Sequence, residues 1–284
     1  MTAPRAIAVL SHARPQETDH ALARLLDVAA ERDLLVRLDG DEGRKHGLVA
    51  RPGLAVGDDG FEEVELAVAL GGDGTILRAL RRFAGTGVPV FGVNFGEIGF
   101  LATVDREGAD DGFARALAGD FETLKLPAIR VAGGSTMSPA INDVAITRRA
   151  GDRVAELAYA VGGQEVGRVR CDGLVVSTPA GSTGYNLANG GPVLAWGVEG
   201  YVVSFVAPHS LTARALVVAP GDVLTVHNRS EAPVDVSVDG RPTRELASGD
   251  TLTCGFERDV ADLALLPGST FYRRLRETFG RLSS

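Results

Sequence analysis

Lysine is nearly absent from this chain: its 284 residues include only Lys45 and Lys125, and neither is followed by Ser or Thr. A P-loop ends in Lys-Ser/Thr, so Walker-type NTPases are excluded. Cysteine is equally sparse, with Cys171 and Cys254 far apart and outside any Cys-x-x-Cys or His-rich spacing, which excludes a disulfide scaffold and a zinc site. Both read as small buried hydrophobes. No apolar run reaches the roughly 18 residues of a membrane span, and Ala6 to Leu10 is too short for a signal h-region. A cytoplasmic protein without a membrane partner is expected. No Gly-x-Gly-x-x-Gly fingerprint follows an expected strand, which argues against a dehydrogenase. Basic charge is also in deficit, at 29 Lys and Arg against 37 Asp and Glu, a net −8. A general nucleic-acid binder needs a basic surface, so that class is excluded, and any anionic ligand must be held locally, mainly by arginine.

The chain carries 45% hydrophobic and 23% charged residues, which predicts folding throughout, and its length favours two domains. The first third alternates apolar runs with amphipathic stretches. Ala6 to Leu10, Leu34 to Leu38, Val64 to Leu70 and Val88 to Val93 read as strands. Gln16 to Arg32, Thr75 to Phe83 and Glu107 to Ala118 read as helices; the first of them places Leu22, Leu25, Leu26 and Ala29 on one face. Strand and helix in series imply a parallel sheet covered by helices. The texture then changes to short β-branched runs punctuated by glycine. Strands are expected at Ala140 to Arg148, Val154 to Val161, Gln164 to Val169, Leu174 to Thr178, Tyr201 to Val206, Ala215 to Val218, Val223 to Val226, Val234 to Val238 and Thr251 to Gly255. Gly162-Gly163 and Asp239-Gly240 mark tight turns. The fold class is therefore α/β for residues 1–104, carrying a Rossmann-like sheet, and β-rich, sandwich-like, for 105–264. A final amphipathic segment within 265–284, Phe271 to Leu282, is expected to pack back on the first domain.

The sharpest local feature is Gly71-Gly72-Asp73-Gly74-Thr75, which follows an apolar strand and opens a helix. Glycines there permit close backbone approach, and free amides with the helix dipole attract anions, so Gly71, Gly72, Gly74 and Thr75 are candidate phosphate-binding residues. A plain strand-to-helix turn capped by Thr75 is the alternative. Asp73 argues against it, because a carboxylate would be repelled by the anion that such a turn attracts. It would instead hold Mg²⁺ against the phosphates or take a proton from an attacking hydroxyl. A second block runs from Cys171 to Pro192, where a buried strand enters a loop crowded with small hydroxyls and glycines, with Tyr185 offering an aromatic face to a base. A polar surface loop with Tyr185 as packing is the alternative. The third is Asn142-Asp143 inside an apolar run, a pair that by itself fits a turn or cap equally well.

Together these blocks resemble the NAD kinase family, over most of the chain and in the family's order. The resemblance begins at Gly71 to Thr75 and continues through Gly92-Val93-Asn94-Phe95-Gly96-Glu97-Ile98-Gly99-Phe100-Leu101 and Asn142-Asp143. Asp172 to Pro192, Pro208-His209-Ser210-Leu211 and Val238-Asp239-Gly240 complete it. The first run is shared with diacylglycerol and sphingosine kinases; the later blocks distinguish the family. The resemblance implies an enzyme that moves a phosphoryl group from ATP or polyphosphate, with Mg²⁺, onto the 2′-hydroxyl of the adenosine ribose of NAD, giving NADP. It implies a site in a cleft between the two domains and a homodimer or homotetramer. Asp73 looks like the base, with Gly74 and Arg78 along the dinucleotide and phosphates. Asn142, Asp143, Arg153, Arg170, Asp172, the stretch Thr183, Gly184, Tyr185, Asn186, Leu187 and Ala188, and Arg241 fall at the family's NAD-contact positions. Ala180 and Gly184 depart from the common Thr-Gly-Ser-Thr-Ala-Tyr loop, and Asp143 stands where Glu is also common. A diacylglycerol-type lipid kinase would share Asp73 but needs an apolar or basic membrane-facing stretch, which is not evident. A catalytically idle dinucleotide-binding regulator would have no need of Asp73.

Overall fold

The computed structural model describes residues 5–57, 61, 63–96, 99–132 and 139–280. Glu97 and Ile98 of the motif above, and positions 281–284 of the final amphipathic segment, lie outside the described residues. The chain forms two compact units, residues 1–125 with 261–284, and residues 126–260.

In the first unit the strands are β1 (Ala6–Ser11), β2 (Leu35–Leu38), β3 (Leu54–Val56), β4 (Leu66–Leu70), β5 (Pro89–Asn94) and β6 (Val104–Asp105). Its helices are α1 (Asp19–Ala30), α2 (Gly40–His46), α3 (Asp73–Arg82) and α4 (Ala109–Leu117). β7 (Glu122–Ala132) leads into the second unit, and β17 (Thr251–Leu265) leads back to α6 (Phe271–Gly280). The sheet order is β17-β5-β4-β1-β2-β3 with β6 beside β5, and every pairing is parallel. β1, β4 and β5 are buried along their whole length, as strands sandwiched between helices must be. Ile7, Val9, Val68, Leu70, Phe91 and Val93 pack with Leu22 and Leu25 of α1 and Phe113 of α4. Strand alternation sends Gly92 to the other face, where a Cβ would come within 2.6 Å of Ile76 on α3.

The second unit holds β8 (Asp143–Arg148), β9 (Ala155–Val161), β10 (Gln164–Cys171), β11 (Gly173–Ser177), α5 (Tyr185–Ala188), β12 (Tyr201–Val206), β13 (Leu216–Val218), β14 (Leu224–Asn228), β15 (Val234–Val238) and β16 (Arg241–Leu246). One antiparallel sheet runs β10-β9-β14-β17, the other β13-β12-β11-β8-β15-β16. Leu157, Val169, Leu224 and Leu252 of the first meet Ile146, Val176, Val203 and Val236 of the second in one core, a β-sandwich. Cys171 and Cys254 are buried in that core as free thiols, each pushed up to about 12 first by burial. Both expected tight turns occur: Gly162-Gly163 and Asp239-Gly240 all have positive φ.

Several boundaries differ from the sequence expectation. The first unit extends to Lys125 rather than 104 because α4 buries Phe113, Ala116 and Leu117 against α1 and the parallel sheet. α1 starts at Asp19, since Pro15 to Glu17 wind as a separate 3₁₀ turn. α3 turns Ile76, Ala79 and Leu80 inward and is capped by Gly72, not Thr75. β17 runs ten residues beyond the expected Gly255. No helix among the described residues is long and apolar enough to cross a membrane.

Candidate active site

In the first unit the loop after β4 is built by close approach. A Cβ on Gly71 would lie 2.3 Å from Thr75 Oγ1, so the turn folds onto a buried threonine only with glycine there. Gly72 is the N-cap of α3 and offers no side-chain cap. Gly72, Asp73 and Gly74 have no amide partner among the described residues, so three N–H groups remain for an anion at the positive end of the helix.

The Asp73 carboxylate takes its hydrogen bonds from another loop. Its Oδ2 accepts from the Phe100 N–H at 2.8 Å and its Oδ1 from the Leu101 N–H at 3.0 Å. Burial raises its carboxyl above the ordinary carboxylate range, against the lowering effects of the two amides and of the Arg274 cation on α6. The result is a fixed carboxylate with more proton affinity than a solvated one. Each oxygen keeps a second lone pair. Beside the loop, a cleft of about 670 Å³ is lined by Arg14, Glu17, Asn94, Phe95, Asp105 and Arg106, among others.

Arg78, on the second turn of α3, donates from Nη2 to Ser11 O at 2.6 Å and Glu42 Oε1 at 3.0 Å. Glu42, the acceptor here, is one of the residues that sequence reasoning missed. It is buried on α2 and accepts from Ser11 N at 3.1 Å, Ser11 Oγ at 2.7 Å and Lys45 Nζ at 2.7 Å as well as from Arg78. His46 joins Ser11 Oγ to Asp19, each contact 2.6 Å. Arg78 is thus anchored by one nitrogen at the carboxyl end of β1, with the side chain still 37% exposed.

The second unit gathers another set. Asp239, at the β15–β16 turn, accepts three successive backbone N–H groups: Ile141 at 3.1 Å, Asn142 at 2.7 Å and Asp143 at 3.2 Å. Asn142 is further fixed by its carbonyl, which accepts from the Thr178 N–H at 2.9 Å. Its side-chain Oδ1 is buried without a partner. Asp143 is buried, and no hydrogen bond from the described residues reaches its carboxyl. Burial first, and the neighbouring Asp239 charge second, push it up to about 7.

The glycine- and hydroxyl-rich loop lies against this pair. A Cβ on Gly181 would sit 2.1 Å from Asn142 O, so backbone packs directly on backbone. Its hydroxyls are largely occupied internally: Thr178 Oγ1 donates to Ile141 O at 2.6 Å, Ser182 Oγ to Pro179 O at 2.7 Å and Thr183 Oγ1 to Ala180 O at 3.2 Å. Asn186 is fully buried and staples Ser182 O to Pro192 O, at 2.9 and 3.0 Å. Tyr185 is 40% exposed. Its hydroxyl is pushed up first by burial, then by Asp143 and Asp172, so it lies within electrostatic reach of both carboxylates. Leu187 is half-buried, and Gly184 and Ala188 are exposed.

Asp172, at the opposite end of β11, accepts from Arg148 Nε at 2.6 Å. That bond, followed by the Arg148 charge and the nearby His209, holds its carboxyl below the usual range. Arg153, Arg170 and Arg241 are exposed, and none forms an ion pair among the described residues. The structure therefore brings together Asn142, Asp143 and Tyr185, with Gly181 and Asn186 as their support, while Asp172 lies at the far end of β11, paired with Arg148 and connected to the group only through its charge acting on Tyr185. Arg148 and Asp239 were absent from the sequence-derived set, although Asp239 stood inside a quoted turn.

No group of three or more His, Cys, Asp or Glu among the described residues could hold a metal ion.

Residues 54–121 match the family ATP-NAD kinase N-terminal domain, and residues 141–255 match the ATP-NAD kinase C-terminal domain. The chain is 38% identical to the NAD kinase of Symbiobacterium thermophilum over 238 residues, 81% of this chain and 84% of that protein. It is 30% identical to the NAD kinase of Natranaerobius thermophilus over 96% of this chain and 97% of that one. Among solved structures, an Archaeoglobus fulgidus NAD kinase in complex with ATP superposes with a TM-score of 0.75 at 26% identity, covering 98% of each chain. Yeast NADH kinase complexed with NADH shares the fold, with a TM-score of 0.85 at 22% identity, covering 100% of this chain and 90% of that one.

Proposed function

The chain belongs to the NAD kinase family of phosphotransferases, and from that premise we propose a reaction in which Asp73 is the general base. Phosphorylation of NAD is the family's activity. In the proposed step Asp73 takes the proton of the adenosine ribose 2′-hydroxyl, and the freed oxygen attacks the terminal phosphorus of ATP or polyphosphate. The bond from that phosphorus to the leaving ADP, or to the shortened polyphosphate, breaks as NADP forms. The observation that carries this reading is the placement of Asp73. Its carboxyl is fixed by two amides and raised by burial, next to a glycine turn whose own amides remain available to phosphate.

ATP as donor is supported by the ATP-bound Archaeoglobus relative. Mg²⁺ would enter with the donor phosphates and draw its ligands mainly from their oxygens. Arg78, braced by Glu42 through Nη2, would present Nη1 to phosphate. For NAD, the buried and unpaired Asn142 Oδ1 is an acceptor suited to an amino group, and the ionised Asp172 can accept from ribose hydroxyls. Asp143, buried beside Asn142, would accept from the same ligand, and Tyr185, 40% exposed, would offer a stacking face. Thr183, Gly184, Leu187 and Ala188 would contribute through the shape of the loop that Asn186 staples; Arg153, Arg170 and Arg241 supply exposed positive charge for the dinucleotide. A cytoplasmic homodimer or homotetramer belongs to the same proposal. The test is direct: purified protein with Mg²⁺, NAD and either ATP or polyphosphate should yield NADP. Formation with neither donor, or NADP formation undiminished in Asp73→Asn, would overturn the reading.

A further inference from the structure

Helix α6 has no motif residues, yet it reaches the loop that holds Asp73. Phe271, Arg274, Leu275, Thr278 and Phe279 lie at helical spacing on its more buried side. The Phe100 ring packs between two of them, with centroids 5.9 Å from Phe271 and 6.1 Å from Phe279. Arg274 Nη1 donates to the Phe100 carbonyl at 3.1 Å. The same residue's amide is the one that donates to Asp73 Oδ2, and the next amide donates to Oδ1. Phe100 is therefore gripped by ring, carbonyl and amide at once.

We propose that α6 is the splint of the reacting carboxylate and that Arg274 is its positioning residue, acting on Asp73 through the Phe100-Leu101 backbone. The inference rests on the reading of Asp73 as base. The physical argument is one of constraint. Asp73 accepts amides from a loop, and loops are mobile unless something fixes them. The clamp on the Phe100 carbonyl and ring supplies that fixation from the far end of the chain. A base displaced by a fraction of an ångström from its proton loses rate while ligand binding is retained. Arg274 is also a partly buried cation whose guanidinium feels Asp73, Asp105 and Glu277, so it opposes the effect of burial on Asp73. Its charge also favours the ionised form of Asp73, the form that can take a proton.

A double-mutant cycle separates this role from a merely structural one. Arg274→Ala should lower kcat by roughly tenfold or more while KM for NAD and for ATP stays within about threefold, by the logic of interactions made only in the transition state. Placed on Asp73→Asn, the same change should have almost no further effect, because the group it positions is gone. Arg274→Gln keeps a donor for the Phe100 carbonyl and Arg274→Lys keeps donor and charge, so both should recover part of the rate, and they serve if Arg274→Ala folds poorly. Arg273→Gln, on the exposed side and paired with Glu277, is the control and should match the parent. An unchanged kcat in Arg274→Ala, or an equal loss in both backgrounds, overturns the inference alone. An Asp73→Asn enzyme that keeps its rate overturns the base assignment, and the inference with it.

Discussion

Asp73 and Asp143 are both carboxylates withdrawn from water, and the two units treat them in opposite ways. In the first unit each oxygen of Asp73 accepts a backbone amide, and a cation stands behind the loop that supplies them. In the second unit the amides of residues 141–143 go to Asp239 instead, leaving Asp143 buried beside another negative charge. The contrast shows two states of preparation. Asp73 is fixed in place, as the proposed general base has to be. Asp143 is held with unspent hydrogen-bonding capacity, which destabilises the free protein and suits a residue that finds its partner in a ligand.

The largest effect expected from this contrast concerns Asp143 itself. Its carboxyl is raised to about 7, so between roughly pH 4 and pH 7 the unfolded chain releases a proton that the native state keeps. Native stability should therefore fall as pH rises through that window and level off above it. Asp143→Asn should abolish this decline and exceed the parent by up to about 4 kcal/mol at pH 8, with little difference near pH 4. Urea melts across pH check it; parallel curves for the two proteins would show that Asp143 carries no such strain.

Next in size is Gly181→Ala. The new Cβ meets the Asn142 backbone, which Asp239 and Thr178 already pin, so neither side can yield. A loss of about 3 kcal/mol is expected, at the upper end of overpacking effects. Denaturant midpoints read it, and a loss under about 1 kcal/mol would mean the loop is softer than its hydrogen bonds imply.

Tyr185→Ala should weaken NAD binding by about 1–3 kcal/mol through loss of a stacking face, with donor affinity little changed. Calorimetric titration with NAD decides it, because a tyrosine that only packs would leave that affinity intact. The smallest effect belongs to Gly184→Ala in the same loop. Its Cβ would meet only Gly181 O, at 3.4 Å, and its φ is negative. Stability should stay within about 0.5 kcal/mol of the parent, which a melting curve resolves.

Much of this was legible in the sequence where one local rule decided the outcome. The glycine turn at 71–75, the β-rich second unit and the Asp239-Gly240 turn follow from strand patterning and positive-φ chemistry. Helix α2 was missed because its buried residues are Gly40, Glu42 and Gly43, which give no apolar period. Its capping signal was present: Asp39 accepts from the Glu42 N–H at 2.8 Å, the Asp-x-x-Glu spacing of a helix start. β7 escaped notice because it contains Pro127, and proline demotes a strand in any local reading. The continuation of β17 is masked by the charged stretch Glu257 to Asp259 and by the positive φ of Asp259. Within the site, composition could count the hydroxyls of the 177–183 loop but not show that they bond to its own backbone. Likewise, nothing local links Arg274 to Asp73; only tertiary structure joins positions so far apart in the chain.

The most direct test of the account is kcat for Asp73→Asn, measured with saturating NAD and ATP over a range of Mg²⁺ concentrations. Asn keeps the size and tolerates the same turn, so folding should persist. Loss of the general base predicts a fall in kcat of roughly 10²–10⁴-fold that excess Mg²⁺ does not restore, with NAD affinity maintained. A kcat within about tenfold of the parent, or recovery as Mg²⁺ is raised, would contradict the assignment of Asp73 as the group that takes the ribose proton.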